Sequence, residues 1–89
     1  MNKKRRQQLK EWKEKIEKWA RQGAEIKDEL ESINSEEEEC FDMMPESLQG
    51  SANGMNSEEA IDKMNEAMEC LDEAFENIES ATECIEEII

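Results

Sequence analysis

The feature that most constrains this chain is a strict heptad run at its C-terminal end. Between Glu58 and Ile89, Ile61, Met64, Met68, Leu71, Phe75, Ile78, Thr82, Ile85 and Ile89 follow one another in alternating steps of three and four. A second lane, Ala60, Ala67, Ala74, Ala81 and Ile88, recurs every seven residues beside it. Such spacing describes an amphipathic helix with one wide apolar stripe, which needs another helix to cover it.

The upstream half supplies a cover. Leu9, Trp12, Ile16, Trp19, Gly23, Ile26, Leu30, Ile33, Glu37, Cys40 and Met44 keep the same alternation, with Gly23 and Glu37 as the misfits. On its outer face Glu11–Lys15, Glu14–Lys18 and Glu17–Arg21 are Glu-before-base pairs at i,i+4, each adding roughly 0.2–0.5 kcal/mol to an exposed helix. Asn34-Ser35 followed by Glu36–Glu39 resembles a helix restart, with Ser35 and Glu38 as a capping box. The heptad phase nevertheless runs through unchanged, so one continuous helix is expected.

Pro45 stops that helix, since the residue before a proline is pushed out of the α region. Residues 45–56 hold the single Pro and two of the three Gly, and read as a loop. Asn56 or Ser57 is expected to cap the second helix, with Glu58 and Glu59 in its first turn. The expected architecture is all-α: one domain over 1–89, with a basic lead-in at 1–8, helices at 9–44 and 57–89, and an antiparallel hairpin fold. A dimeric four-helix bundle is its natural assembly, because a lone hairpin of this length buries little.

Docked on paper, Cys40 faces Ile61, Glu37 faces Met64, Ile33 faces Met68 and Leu30 faces Leu71. Further along, Ile26 faces Phe75, Gly23 faces Ile78, Trp19 faces Thr82, Ile16 faces Ile85 and Trp12 faces Ile89. Small residues fall opposite large ones at Gly23–Ile78 and Thr82–Trp19, as close packing favours. Charge agrees: residues 1–22 carry nine bases and three acids, net +6, and residues 23–89 carry two bases and twenty-two acids, net −20. The antiparallel fold sets the basic end of helix one beside Glu83, Glu86 and Glu87.

Low mean hydropathy and a net charge of −14 would also suit a disordered chain. Disorder does not keep a register over this many steps. The chain has no His, and Cys40, Cys70 and Cys84 lack metal-ligand spacing, so no metal, cofactor or catalytic site is expected. Cys70 and Cys84 lie roughly 21 Å apart along one helix and cannot bridge, which points to reduced thiols in a cytoplasmic protein. No stretch approaches a membrane span, and no apolar segment follows the basic start.

Three features are candidates for function. The first is the carboxylate surface of helix two: Asp62, Glu66, Glu69, Asp72, Glu73, Glu76, Glu79 and Glu83. Up to three charges per heptad is about one per 3.5 Å of axis, close to the one phosphate per roughly 3.4 Å of a single strand of B-DNA. This face therefore suits a basic protein surface such as the nucleic-acid groove of a nuclease; its bland reading is a solvated face. The second is the packing edge Ala60, Ala67, Ala74 and Ala81, suited to a homodimer contact or simply good helix-forming filler. The third is a loose apolar cluster, Phe41, Leu48 and Met55, which either plugs the loop end or touches a partner. The basic tip, Lys3, Lys4, Arg5 and Arg6, has no interleaved aromatics, and direct nucleic-acid or membrane binding is not expected from it.

The stretch Glu36–Gly50, Glu-Glu-Glu-Glu-Cys-Phe-Asp-Met-Met-Pro-Glu-Ser-Leu-Gln-Gly, followed by Ser51 and the Ala/Ile repeat, resembles a group of small acidic helical proteins of Firmicutes phages and mobile elements. That group shows an aromatic, then Ile/Met-Pro-Glu-Asn-Leu-Gln-Gly-Ser, then a Glu/Ala/Ile-rich helix. Ser47 stands where the group has Asn, and Ala52-Asn53-Gly54 replaces its charged residues. The likeness covers Glu36–Ile89 and is specific only in the loop. It implies a mobile-element setting, where small acidic proteins often inhibit host-defence nucleases, and it carries no activity of its own. Two functions follow as expectations: a non-enzymatic inhibitor of anti-CRISPR or anti-restriction type acting through an acidic nucleic-acid-mimicking face, or a coiled-coil dimerisation and adaptor module whose acids only solvate it.

Overall fold

A computed structural model describes residues 1–89 as two long antiparallel helices joined by a tight corner. The elements are α1 (Lys3–Asp42), the single turn α2 (Glu46–Gln49) and α3 (Ala52–Glu86). There is no strand, and α1 lies against α3 in an all-α hairpin whose backbone measures 68 × 16 × 14 Å.

Each helix starts earlier than the apolar pattern implies, because capping chemistry rather than hydrophobicity sets the ends. Asn2 is the N-cap of α1, and its side-chain oxygen accepts from the Arg5 backbone N–H at 2.8 Å. The basic residues from Lys3 onward are therefore helical. Asn34 and Ser35 do not interrupt α1, which runs unbroken to Asp42.

The corner is shorter than the expected 45–56 loop. Pro45 opens α2, and Gln49 folds back so that its Nε2 donates to the Phe41 and Met44 carbonyls, both at 3.2 Å. Those carbonyls lie at and just past the end of α1, where the i→i+4 ladder runs out; that of Phe41 also accepts from the Met44 N–H at 3.1 Å. The cap of α3 is Ser51, not Asn56 or Ser57; its hydroxyl accepts from the Gly54 N–H at 3.4 Å. Gly54 is buried, and a Cβ there would overlap the Gln49 carbonyl oxygen and come within 2.6 Å of that of Leu48. Ser57 lies inside the hairpin, 5 % exposed, where its hydroxyl donates to Glu37.

Along α3 the inner lanes are those the heptads name: Ile61, Met64, Met68, Leu71, Phe75, Ile78, Thr82, Ile85 and Ile89 are all half-buried. On α1 only one lane agrees. Leu9, Ile16, Gly23, Leu30, Glu37 and Met44 are half-buried, but the second inner lane is Lys13, Ala20, Lys27, Asn34 and Phe41. Trp12, Trp19, Ile26, Ile33 and Cys40 lie outside it, exposed to solvent. The register moves with the face: Gly23 faces Phe75, not Ile78.

Three polar links accompany this choice. Lys13 pairs with Glu86 at 2.9 Å, Lys27 pairs with Asp72, and Asn34 Nδ2 donates to Asn65 Oδ1 at 2.9 Å. A lysine stem can line an apolar seam while its ammonium reaches a carboxylate at the rim, so Lys13 and Lys27 can occupy inner positions. Packing is thin all the same. No apolar side chain is fully buried; the buried residues are Asn34, Gly54 and Ser57.

Candidate functional site

The two inner lanes divide the outside of the hairpin into three surfaces. The first is the acidic back of α3. All eight predicted carboxylates there, Asp62, Glu66, Glu69, Asp72, Glu73, Glu76, Glu79 and Glu83, are exposed. Asp72 is held by Lys27, and Glu66 is 3.3 Å from Lys63. The remaining six have no cation within 4.0 Å. The helix thus presents a ladder of charge that the chain itself leaves unneutralised.

The second surface is the polar flank, where Lys13–Glu86, Lys27–Asp72 and Asn34–Asn65 bridge α1 to α3. Hydrogen bonding to Glu86 raises the Lys13 pKa above its ordinary 10.5, and hydrogen bonding to Asp72 does the same for Lys27. Both ammoniums are thereby paired within the chain, at the exposed rim of the hairpin. Lys13 also lies 3.6 Å from Glu17, whereas none of the three expected Glu-before-base pairs closes. An open groove on this side is lined by Glu17, Arg21, Phe75, Ile78, Glu79 and Glu83 among others.

The third surface is apolar. Trp12, Trp19, Ile26, Ile33 and Cys40 each stand one residue before the inner lane that begins at Lys13. Ala60, Ala67, Ala74, Ala81 and Ile88 each stand one residue before the inner lane that begins at Ile61. In an antiparallel helix pair, equivalent flanking positions fall on the same side. The two lanes therefore merge into one face, opposite the flank bearing the lysine pairs. Trp19 is 54 % exposed, Ile26 60 % and Ile33 56 %. Ala74 alone of the alanines in this lane is half-buried. Sequence reasoning named the alanine edge but placed the tryptophans in the seam; the polar residues of the Lys13 lane were the signal against that.

The loop cluster does not assemble. Phe41 is half-buried at the end of α1, while Leu48 and Met55 are 52 % and 61 % exposed. Lys3, Lys4, Arg5 and Arg6 are exposed on the first turns of α1. Cys40, Cys70 and Cys84 are free and exposed. No three His, Cys, Asp or Glu side chains converge as a metal site would require, and no helix is long and apolar enough to cross a membrane. No protein-family model, no curated protein and no solved structure matches the chain.

Proposed function

We propose that the chain is a protein-binding protein whose α3 carboxylates enter a basic, nucleic-acid-binding groove of a partner and block it. The observation that carries this reading is the ladder of six carboxylates without a cation, set along one side of a helix of 35 residues. The six span 21 residue steps, about 31 Å of axis, so they stand about one per 6 Å, near half the phosphate density of a strand, and can take the place of alternate phosphates in such a groove. A helix already built holds its charges in place, so little ordering cost is added on binding. The partner in this reading is a nuclease of host defence, the setting that the loop resemblance suggests.

Capture from a bacterial lysate tests this. The wild-type chain should retain a basic nucleic-acid-binding protein, release it to competing duplex DNA, and release it as salt rises. The triple variant Glu69→Lys, Glu73→Lys, Glu76→Lys should not retain it. Identical retention by both proteins, or indifference to DNA, would rule the proposal out.

A further inference from the structure

We infer that a second copy of this chain covers the apolar face, with the two loop ends pointing in opposite directions, to make a four-helix bundle. The inference concerns a different surface from the acidic ladder and stands whether or not that ladder has a partner. It rests on area, on position and on charge.

The single hairpin exposes 6985 Å². A compact monomer of 10.4 kDa would expose about 5,400 Å², leaving an excess of roughly 1,600 Å². Covering that much on each of two chains would bury about 3,200 Å², within the range of obligate homodimers. The apolar face is the surface to lose, since the molecule has no buried apolar side chain of its own.

Position makes the face self-complementary. The α1 lane has Ile26 at its centre, and the α3 lane has Ala74 at its centre. The Gly23–Phe75 and Lys27–Asp72 contacts hold these two residues at nearly the same height. A two-fold axis through that level, lying in the face and crossing the helices, lays each lane on its own copy. Ile26 then meets Ile26, Trp19 meets Ile33 and Trp12 meets Cys40 of the second copy. The alanine lanes let the α3 helices approach closely, while the bulkier lanes set the α1 helices further apart.

Charge selects the orientation. Residues 1–22 are net +6, while residues 23–75 hold seventeen acids and two bases, net −15. With loop ends opposed, the basic start of each α1 lies beside Glu36–Glu39 of the other. With loop ends together, the two acidic ends would repel.

Sedimentation equilibrium and disulfide formation test this together. At high-micromolar concentration the wild type should sediment at twice its 10.4 kDa. In a chain with Cys70→Ser and Cys84→Ser, Trp12→Cys should link to Cys40 of the other copy under oxidised glutathione. The same bond cannot close within one chain, where the two positions are roughly 42 Å apart along the helix. The pair Trp19→Cys with Ile33→Cys, in a chain otherwise free of cysteine, should link likewise and guards against failure of one variant. Cys40 alone should not link. A monomer would overturn the inference, as would linkage through Cys40 alone or absence of linkage in both designed pairs.

Discussion

Asn34 lies inside the hairpin, 4 % exposed, and donates to Asn65 across the helix pair at 2.9 Å. Its own Oδ1 has no partner. A polar side chain buried at one layer of a helix pair favours the register in which it is satisfied, at some loss of stability. Asn34→Leu should therefore raise the thermal midpoint, by about 1–3 kcal/mol of stability, since it removes a buried unpaired acceptor and adds apolar contact. It should also spread Lys27 cross-links over neighbouring carboxylates. A fall in midpoint would contradict this.

Gly23 is held to glycine by Phe75, because a Cβ at 23 would come 2.7 Å from Phe75 Cε1. In an open helix, Gly→Ala gains about 1 kcal/mol. Here the ring must tilt away, at a cost of about 1–3 kcal/mol, so Gly23→Ala should yield no gain. In a double-mutant cycle with Phe75→Leu, the two changes should couple favourably by about 1 kcal/mol. Additive behaviour in urea unfolding would place Phe75 elsewhere.

The corner depends on two residues. Gln49→Ala strips hydrogen bonds from the Phe41 and Met44 carbonyls and should cost about 1–2 kcal/mol. Gly54→Ala should cost about 2 kcal/mol or more, because backbone carbonyls rather than a movable side chain occupy the space. Gly50→Ala is the control: nothing lies within 4 Å of its Cβ position, and its stability should change little.

The lysine pairs give a signed pH dependence. Lys13 and Lys27 have native pKa values raised above 10.5 by their carboxylate partners. Their contribution is therefore complete below 10.5 and is lost as pH rises through the higher native values. Both pairs are solvent-exposed, so the contribution is small. In urea melts, the stability difference between wild type and the Lys13→Met, Lys27→Met variant should hold steady at neutral pH and narrow in strong alkali. A difference that widened there would reverse the sign.

The hairpin was legible because α3 repeats without error and Pro45 ends α1. The seam of α1 was not, and its residues show why. Apolar side chains fill two adjacent lanes, those of Leu9 and Trp12, and a reading that turns every apolar residue inward must choose both. The structure keeps the Leu9 lane and takes the mostly polar Lys13 lane instead. A cue was present in the spacing: Lys13, Lys27 and Asn34 match Glu86, Asp72 and Asn65 heptad for heptad in the antiparallel sense. Caps were missed at Asn2 and Ser51 because both precede residues with no apolar period. The acidic ladder was fully legible, since outer positions follow once α3's own seam is known. The apolar face was not, because it exists only when Trp12 and Trp19 are outside.

The apolar face exists only if the Lys13 lane of α1 lies inside the hairpin and the tryptophan lane outside. Zero-length carbodiimide coupling followed by peptide mass analysis reads the contacts of the Lys13 lane. Intrachain amide links are expected from Lys27 to Asp72 and from Lys13 to Glu86. Coupling of both lysines to other carboxylates, with none to Asp72 or Glu86, would contradict the observed pairing.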